Sequence, residues 1–271
     1  MRAQTQWQLS GNAAQTYEDS LVPAVFSYWT PILVERTQLK QGERVLDLAC
    51  GTGVVARLAA QQVGKTGFVV GLDLNSGMLD VARSKPALPG GPSIVWQEGS
   101  ALDLPFPEAS FDVVLCQQGL QYFPDSLASL KEVHRVLRAA GRLALGLWGA
   151  LEHSPGYTAL VEALDHFIPE ASPVLRMPFS LSDTEKITGL LVKANFQQIN
   201  LQTSVGSVHF ASPDDFVMQM LASSPAAGVV ALATDDARSA LVNQVREKLQ
   251  PYMKDNQLAF PIEAHIVTAQ A

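Results

Sequence analysis

The hydrophobic positions between residues 44 and 149 follow two alternating periods. Short apolar runs of strand type are separated by segments in which apolar residues recur at helical spacing. The strand-type runs read RVLDLA, GFVVGLDL, SIVWQEG, FDVVLCQQ and RLALGLWG. Because parallel neighbouring strands need long crossover connections, five strands separated by helices predict an α/β fold with a doubly wound parallel sheet.

The segments on either side of this core have different patterns. Near the N-terminus, Phe26, Trp29 and Leu33 recur at helical spacing and predict a helical cover. Towards the C-terminus, helical segments surround two further strand-type runs, FQQINLQTSVGSVHF and LAFPIEAHIVTAQ. We expect a single domain over residues 1–271, made of an N-terminal helical cover (1–40), a core (41–150), and cap helices with the final strands (151–271).

Several residues predict where the helices begin and end. Ser182 and Glu185 have the spacing of a capping box, and Thr234 is an expected N-cap. Gly141 and Asn195 are expected just beyond helix C-termini, where these two residue types tolerate the left-handed conformation.

Charge and cysteine content exclude some classes of function. The 271-residue chain has a net charge of −7 and therefore no basic face for a phosphate backbone, so we expect no nucleic-acid partner. Cys50 and Cys116 lie in or beside apolar runs instead of in a ligand spacing, which argues against a metal site and a disulfide framework. The chain begins without a leader pattern and has no run of ~18 apolar residues. These features predict a soluble, cytoplasmic protein without membrane insertion.

A glycine motif follows the first strand of the core. Gly51, Gly53 and Ala56 form G-x-G-x-x-A between a strand and a helix, and Asp73 follows ~20 residues later, as in a dinucleotide-binding fingerprint. By itself the motif favours a nicotinamide or flavin enzyme. However, Asp47 near the end of the same strand would repel a pyrophosphate, so the ligand is expected to carry a cation.

S-adenosylmethionine satisfies both requirements, because it carries an ammonium, a sulfonium and a ribose diol. Asp47 would then order its amino-acid end, and Asp73 would accept hydrogen bonds from the ribose hydroxyls. The alternative is purely structural: Asp47 caps a turn, Asp73 begins a helix, and the glycines permit close packing.

Four segments of the chain resemble the successive motifs of a known family. VLDLACGTG, GLDLNSGMLDVAR, EGSALDLPFPEASFDVVLCQQGLQYFPD and LKEVHRVLRAAGRLALGLWG are similar to those of class I S-adenosylmethionine-dependent methyltransferases, in the branch of the ubiquinone and menaquinone biosynthesis enzymes. The resemblance implies a Rossmann-like, seven-stranded, mostly parallel sheet whose last strand is antiparallel and lies at the edge. It also implies methyl transfer to a small-molecule acceptor by in-line displacement.

The resemblance further implies a set of cofactor-binding residues. The methionine portion would lie against Asp47, Ala49, Gly51 and Gly53, the ribose against Asp73, and the adenine against Leu74 and Met78. Many relatives have an aspartate for the adenine amino group where this chain has Ser100, followed by Ala101 and Leu102. Gln117 and Gln118 would face the sulfonium, and Tyr17 would fold over the cofactor carboxylate.

Candidates for the acceptor side are fewer. His153 follows the fifth strand, where a doubly wound fold has its ligand crevice, and is the candidate general base. Tyr122, Phe216 and Met220 are candidate substrate-lining residues, although apolar residues at helical spacing also pack cores. The sequence leaves open the acceptor, its methylated atom and whether a homo-oligomer forms.

Two other functions stay open at this point. One is an NAD(P)-dependent oxidoreductase, which the glycine motif alone would favour. The other is a non-catalytic module that binds S-adenosylmethionine, which would have the same motifs and a closed acceptor cleft.

Overall fold

The computed structural model describes residues 12–271. Its helices are α1 (Ala13–Thr16), a π-helix (Tyr17–Phe26), α2 (Trp29–Arg36), α3 (Val54–Val63), α4 (Ser76–Ser84), α5 (Ser126–Val136), α6 (Pro155–Phe167), α7 (Ser172–Arg176), α8 (Thr184–Lys193), α9 (Pro213–Ala222), α10 (Ala227–Ala231) and α11 (Asp235–Leu249). Short 3₁₀ turns cover Leu120–Tyr122, Leu151–His153, Met177–Phe179 and Gln250–Tyr252. The strands are β1 (Arg44–Leu48), β2 (Phe68–Asp73), β3 (Ile94–Glu98), β4 (Phe111–Gln117), β5 (Leu137–Trp148), β6 (Gln197–Phe210), β7 (Met253–Lys254) and β8 (Gln257–Gln270).

The strands form one sheet in the order β3-β2-β1-β4-β5-β8-β6, with the short β7 paired to β8. The first five strands are parallel, and β8 is antiparallel to both of its neighbours. This confirms the predicted mostly parallel α/β sheet with an antiparallel last strand. The expected edge position of that strand was wrong, because β8 lies between β5 and β6 and β6 forms the edge.

Helices cover both faces of the sheet. Val45 and Leu46 are consecutive in β1 and contribute to different buried clusters, because neighbouring side chains of a strand point to opposite faces. Leu160 of α6 belongs to the cluster of Val45, and Leu130 of α5 belongs to the cluster of Leu46. The apolar runs of the parallel strands are therefore buried on both sides, as the fold requires.

Some predicted helix ends are shifted. Asp183, not Ser182, caps α8, and its side chain accepts hydrogen bonds from the first-turn backbone N–H groups. The helix expected to end at Gly141 ends at Val136, and the chain enters β5 directly. Asn195 has the expected positive φ of 68°, and Thr234 is the predicted cap of α11.

The N-terminal cover lies across the glycine turn of the sheet. Ion pairs join Glu18 of the π-helix to Arg57 of α3 and Lys85 beyond α4, at 3.4 and 3.8 Å. Trp29 of α2 is buried and packs edge-on against Trp148 of β5. Among residues 12–271, no helix combines the length and the apolar character that crossing a bilayer requires.

Candidate active site

A cavity of about 1330 Å³, including the space at its mouth, opens where the parallel strands end. Its wall contains Leu48 at the end of β1, Asp73 at the end of β2 and Gln117 at the end of β4. The strand order reverses between β1 and β4, which is the position where doubly wound sheets bind ligands.

The turn after β1 has an unusual backbone. Ala49, Gly51 and Gly53 all have positive φ, at 55°, 54° and 88°. Ala49 and Gly51 line the cavity, and glycine at such a position lets the backbone approach a ligand closely. Gly53 does not lie in the wall: a methyl group there would come within 2.3 Å of the Trp96 ring, so this glycine permits packing against β3.

We expect Gly53→Ala to lower the free energy of unfolding by roughly 2–4 kcal/mol, because it adds left-handed strain and overpacks the Trp96 contact. Urea unfolding measures the change. Gly189→Ala is the matched control: it lies inside α8 with nothing within 4 Å, so it should raise stability by ~0.5–1 kcal/mol. Equal stability of Gly53→Ala and the wild type would contradict the packing role.

Asp73 is held rigidly at the end of β2. Its Oδ2 accepts a hydrogen bond from the Gly51 N–H (2.7 Å), and its Oδ1 accepts one from the Asn75 N–H (2.8 Å). Burial raises the pKa of this carboxyl, against the lowering effect of the backbone hydrogen bonds. Because Asp73 lines the cavity, its remaining lone pairs are available to hydroxyl donors of a ligand.

Asp47 has a different environment. It is 1% exposed and does not lie in the cavity wall. Its Oδ2 accepts a hydrogen bond from the Ala56 N–H (2.8 Å), in the first turn of α3. The N-cap of that helix is Gly53, which has no capping side chain, so Asp47 acts as the cap from β1. Burial raises its pKa to about 8.

Apolar side chains from the second and third strand ends form a slot beside Asp73. Leu74 and Leu102 are 39% and 36% exposed, whereas Met78 and Ala101 are buried, and all four line the cavity. Ser100 also lines it, and its Oγ accepts a hydrogen bond from the Leu102 N–H (3.1 Å). The slot suits a flat ring that is apolar on both faces.

The two glutamines at the end of β4 have different partners. The Gln117 Oε1 accepts a hydrogen bond from the Thr30 hydroxyl (3.1 Å), and its Nε2 donates to the Phe26 carbonyl (3.4 Å). The Gln118 Oε1 instead accepts from the Gln121 Nε2 (2.7 Å). Gln117 and Gln118 both line the cavity.

The rest of the wall comes from the N-terminal cover, β5 and the cap. This aromatic wall consists of Tyr17, Phe26, Tyr122, Trp148, Tyr157 and Met220, with smaller contributions that include Leu175 and Ser223. No residue of this part is charged among those described. Burial raises the pKa of the Tyr17, Tyr122 and Tyr157 hydroxyls, so each remains a protonated donor.

The structure does not bring two predicted acceptor residues to the wall. The His153 side chain is 59% exposed, and its Nδ1 lies 2.9 Å from Glu263 Oε1, a hydrogen bond that raises the histidine pKa. Phe216 is fully buried and packs edge-on against Tyr157 and Phe260. Tyr122 and Met220 do line the cavity.

The sequence interpretation missed several residues of the aromatic wall. Phe26 was noticed only for its helical spacing, and Tyr157 only as part of a helical stretch. Trp148 ends a predicted strand on the side where ligands bind, which was the one available signal for it. Among residues 12–271, no group of three His, Cys, Asp or Glu side chains is placed to hold a metal ion.

The sequence matches a methyltransferase domain family over residues 45–141. It is 31% identical to the demethylmenaquinone methyltransferase of Lactococcus lactis over 203 residues, which are 68% of this chain and 79% of that protein. It is 40% identical to the chloroplastic 2-phytyl-1,4-beta-naphthoquinone methyltransferase of Arabidopsis thaliana over 120 residues, which are 43% of this chain and 46% of that protein. The chain thus spans about half the length of the first curated relatives it matches.

Solved structures share the fold. The YcgJ protein of Bacillus subtilis has a TM-score of 0.59 at 22% identity, covering 90% of this chain and 98% of that one. Phosphoethanolamine N-methyltransferase 2 of Haemonchus contortus, solved in complex with S-adenosyl-L-methionine, has a TM-score of 0.60 at 20% identity, covering 99% of this chain and 58% of that one.

Proposed function

Since the chain belongs to the class I S-adenosylmethionine-dependent methyltransferases, we propose that it transfers the methyl group of that cofactor to an apolar acceptor of the quinone class. The aromatic wall is the observation that carries the acceptor class. A flat apolar ring gains free energy by burial there, whereas a charged acceptor would lose its hydration without a partner. The names of the demethylmenaquinone and phytylnaphthoquinone relatives support the same class.

The residues beside the glycine turn fit the cofactor. The Asp73 carboxylate would accept hydrogen bonds from the ribose hydroxyls, and the slot of Leu74, Met78, Ala101 and Leu102 would hold the adenine. The methionine portion would lie along Ala49 and Gly51, with Gln117 nearby and Tyr17 over its end, while Ser100 borders the adenine slot. Asp47 and Gly53 would support this turn from behind.

The cofactor supplies a methyl group that is already activated by its positively charged sulfur. The protein's part is to align the acceptor and to exclude water. A quinone ring carbon becomes nucleophilic when the ring is reduced, so the hydroquinone form is the expected substrate. The ring carbon would bond to the methyl group as the methyl–sulfur bond breaks, and its own hydrogen would leave as a proton. The protonated Tyr122 and Tyr157 hydroxyls would donate hydrogen bonds to ring oxygens.

The two alternatives are less well supported. A nicotinamide or flavin enzyme is less well supported because the family and the relatives that this chain matches are methyltransferases. Asp47 does not bear on this choice, since its carboxyl faces α3 instead of the cavity. For a non-catalytic module, the acceptor cleft would be closed, whereas this cavity continues from Asp73 to the aromatic wall. His153 is not retained as a general base in this proposal, because its side chain lies outside the wall.

The test is incorporation of labelled methyl from S-adenosylmethionine into 1,4-naphthohydroquinone. We expect Met220→Glu to lower kcat/KM at least ~10-fold, because a carboxylate in the aromatic wall must lose its hydration or repel the ring oxygens. Affinity for S-adenosylhomocysteine, measured by calorimetry, should stay unchanged.

Met218→Glu is the control, since Met218 is on the same helix, α9, and is 61% exposed. It should leave turnover unchanged. Wild-type protein that binds the cofactor without labelling the naphthohydroquinone would refute the acceptor class. Equal turnover of the Met220 and Met218 variants would exclude the aromatic wall as the acceptor site.

The remaining sequence predictions concern location and partners. Cytoplasmic location, the lack of a nucleic-acid partner and the domain limits 1–40, 41–150 and 151–271 stay predictions.

A further inference from the structure

The side-chain amides of Gln118 and Gln121 form a buried pair, to which the proposed function assigns no role. Gln118 and Gln121 are each 8% exposed, and the Gln121 Nε2 donates a hydrogen bond to the Gln118 Oε1 at 2.7 Å. Gln118 lines the cavity, whereas Gln121 does not. The pair therefore consists of one residue at the wall and one residue that supports it.

The backbone of Gln118 is strained and fixed. Its φ is 55°, which residues other than glycine seldom adopt, and such strain persists only where the surrounding structure imposes it. The Gln118 N–H donates to the Gly146 carbonyl of β5 at 2.8 Å. The next residue, Gly119, packs so closely on the glycine turn that a methyl group there would lie 2.8 Å from the Ala49 Cβ. Gln118 is thus held beside the turn assigned to the methionine portion.

The hydrogen bond from the Gln121 Nε2 assigns the orientation of the Gln118 amide, and it leaves the Gln121 Oε1 buried without a partner among the described residues. Because the Gln118 oxygen receives the Gln121 donor, the Gln118 Nε2 is left without a partner among the described residues. An atom without a partner is either fully buried or accessible, and the Gln118 Nε2 is not among the fully buried ones. It is therefore accessible, and Gln118 lines the cavity. Gln117 differs, because both ends of its amide are bonded to Thr30 and Phe26.

We infer that Gln118 binds the acceptor: its side-chain N–H donates a hydrogen bond to a ring oxygen of the quinone-class molecule, and Gln121 is the positioning residue that holds the amide in that orientation. The inference rests on the proposed function. A neutral amide can stabilise an oxygen that gains negative character without itself exchanging a proton. A buried donor also discriminates strongly against a ring that lacks the oxygen, because the donor is then left unpaired. Gln118 thereby determines specificity for oxygenated rings.

A pair of ligands with the same ring system tests this role. The dissociation constants of 1,4-naphthoquinone and naphthalene are measured on protein saturated with S-adenosylhomocysteine, using quenching of tryptophan fluorescence, to which Trp148 in the wall contributes. Gln118→Met should weaken naphthoquinone binding about 10-fold and leave naphthalene within about twofold. Gln118→Glu keeps an acceptor for Gln121 but has no donor for the cavity, so naphthoquinone binding should fall at least as far.

Two further variants separate positioning from folding. Gln121→Met should weaken naphthoquinone binding about threefold, without changing naphthalene binding, because the Gln118 amide loses its fixed orientation. Gln202→Glu, an exposed position on β6, makes the same amide-to-acid change away from the cavity and should alter neither ligand. Affinity for S-adenosylhomocysteine should be the same in all variants.

Three results would overturn the inference. Equal weakening of both ligands in Gln118→Met would mean that the residue acts through its shape alone. Unchanged naphthoquinone binding in Gln118→Met would mean that Gln118 makes no hydrogen bond to the ring oxygen. Naphthoquinone binding retained by Gln118→Glu and lost by Gln118→Met would mean that the ring does not need the amide N–H, because a carboxylate offers acceptors only. Wild-type protein that binds S-adenosylhomocysteine and neither ring would instead refute the acceptor class, and this inference with it.

Discussion

Asp73→Ala is expected to weaken S-adenosylmethionine binding at least ~100-fold. Asp73 is the one charged residue among the described residues of the cavity wall. A ribose diol would offer its carboxylate two hydrogen bonds of ~1.5–3 kcal/mol each. The Gly51 and Asn75 N–H groups hold it in place before any ligand arrives, so little ordering cost opposes binding. Calorimetry with S-adenosylmethionine and then S-adenosylhomocysteine measures the change.

Two variants separate ligand contact from folding. Asp73→Asn keeps the side-chain volume and one acceptor oxygen, so it should be folded and still bind at least ~10-fold more weakly than the wild type. Asp112→Ala removes a carboxylate that also accepts a backbone N–H, from Arg44, at the other end of the sheet. It should leave cofactor affinity unchanged. Wild-type affinity in a well-folded Asp73→Ala variant would require another residue to hold the ribose.

The residues proposed for the cofactor could be identified from the sequence because each of them lies at or just after a strand end. Ala49 and Gly51 directly follow β1, Asp73 ends β2, and Gln117 ends β4. Parallel strands bring their carboxyl ends to one edge, so a prediction of strands and turns is enough to bring these residues together. Asp47 shows the limit of that reasoning. Its strand position was correct, but only the packing of α3 against β1 decides that its carboxyl faces a helix instead of the cavity.

The aromatic wall was not predictable in the same way. Trp148, Tyr157, Leu175 and Ser223 come from β5, α6, α7 and the end of α9, and only the docking of the cap brings them together. Helical periodicity does not select among apolar residues of one face. Phe216 and Met220 are one turn apart on α9, and both are buried, but only Met220 lines the cavity.

The position of the last strand also explains the outcome for His153. The sequence places this histidine correctly after β5, at the ligand-binding end of the sheet. However, β8 lies beside β5 instead of at the edge, and its Glu263 carbonyl accepts a hydrogen bond from the Gly149 N–H. The Glu263 carboxylate then meets His153 at 2.9 Å and holds it at the exposed side. The pairing of β8 with β5 therefore accounts for two differences from the sequence predictions: the internal position of the last strand and the exposed position of His153.

Asp47→Asn is expected to remove the contribution that Asp47 makes to the pH dependence of stability between about pH 4 and pH 8. In the unfolded chain this carboxyl has its ordinary pKa of ~3.9, whereas burial raises the folded value to about 8. Between these values the folded protein retains a proton that unfolding releases. The unfolding free energy should therefore fall as pH rises, by ~1.4 kcal/mol per pH unit, and the loss at pH 7 should be on the order of 4 kcal/mol.

Urea unfolding of cofactor-free protein at pH 5, 6 and 7 measures this slope. The asparagine side chain of the Asp47→Asn variant would still offer an oxygen to the Ala56 N–H, so the cap of α3 is kept while the titrating proton is removed. The unfolding free energy of Asp47→Asn should exceed that of the wild type by an amount that grows as pH rises. Asp112→Asn, beside Arg138, makes the same change at the other end of the sheet and should leave the slope intact. Identical slopes in wild type and Asp47→Asn would mean that Asp47 is ionised in the folded protein, with the α3 N-terminus stabilising its charge.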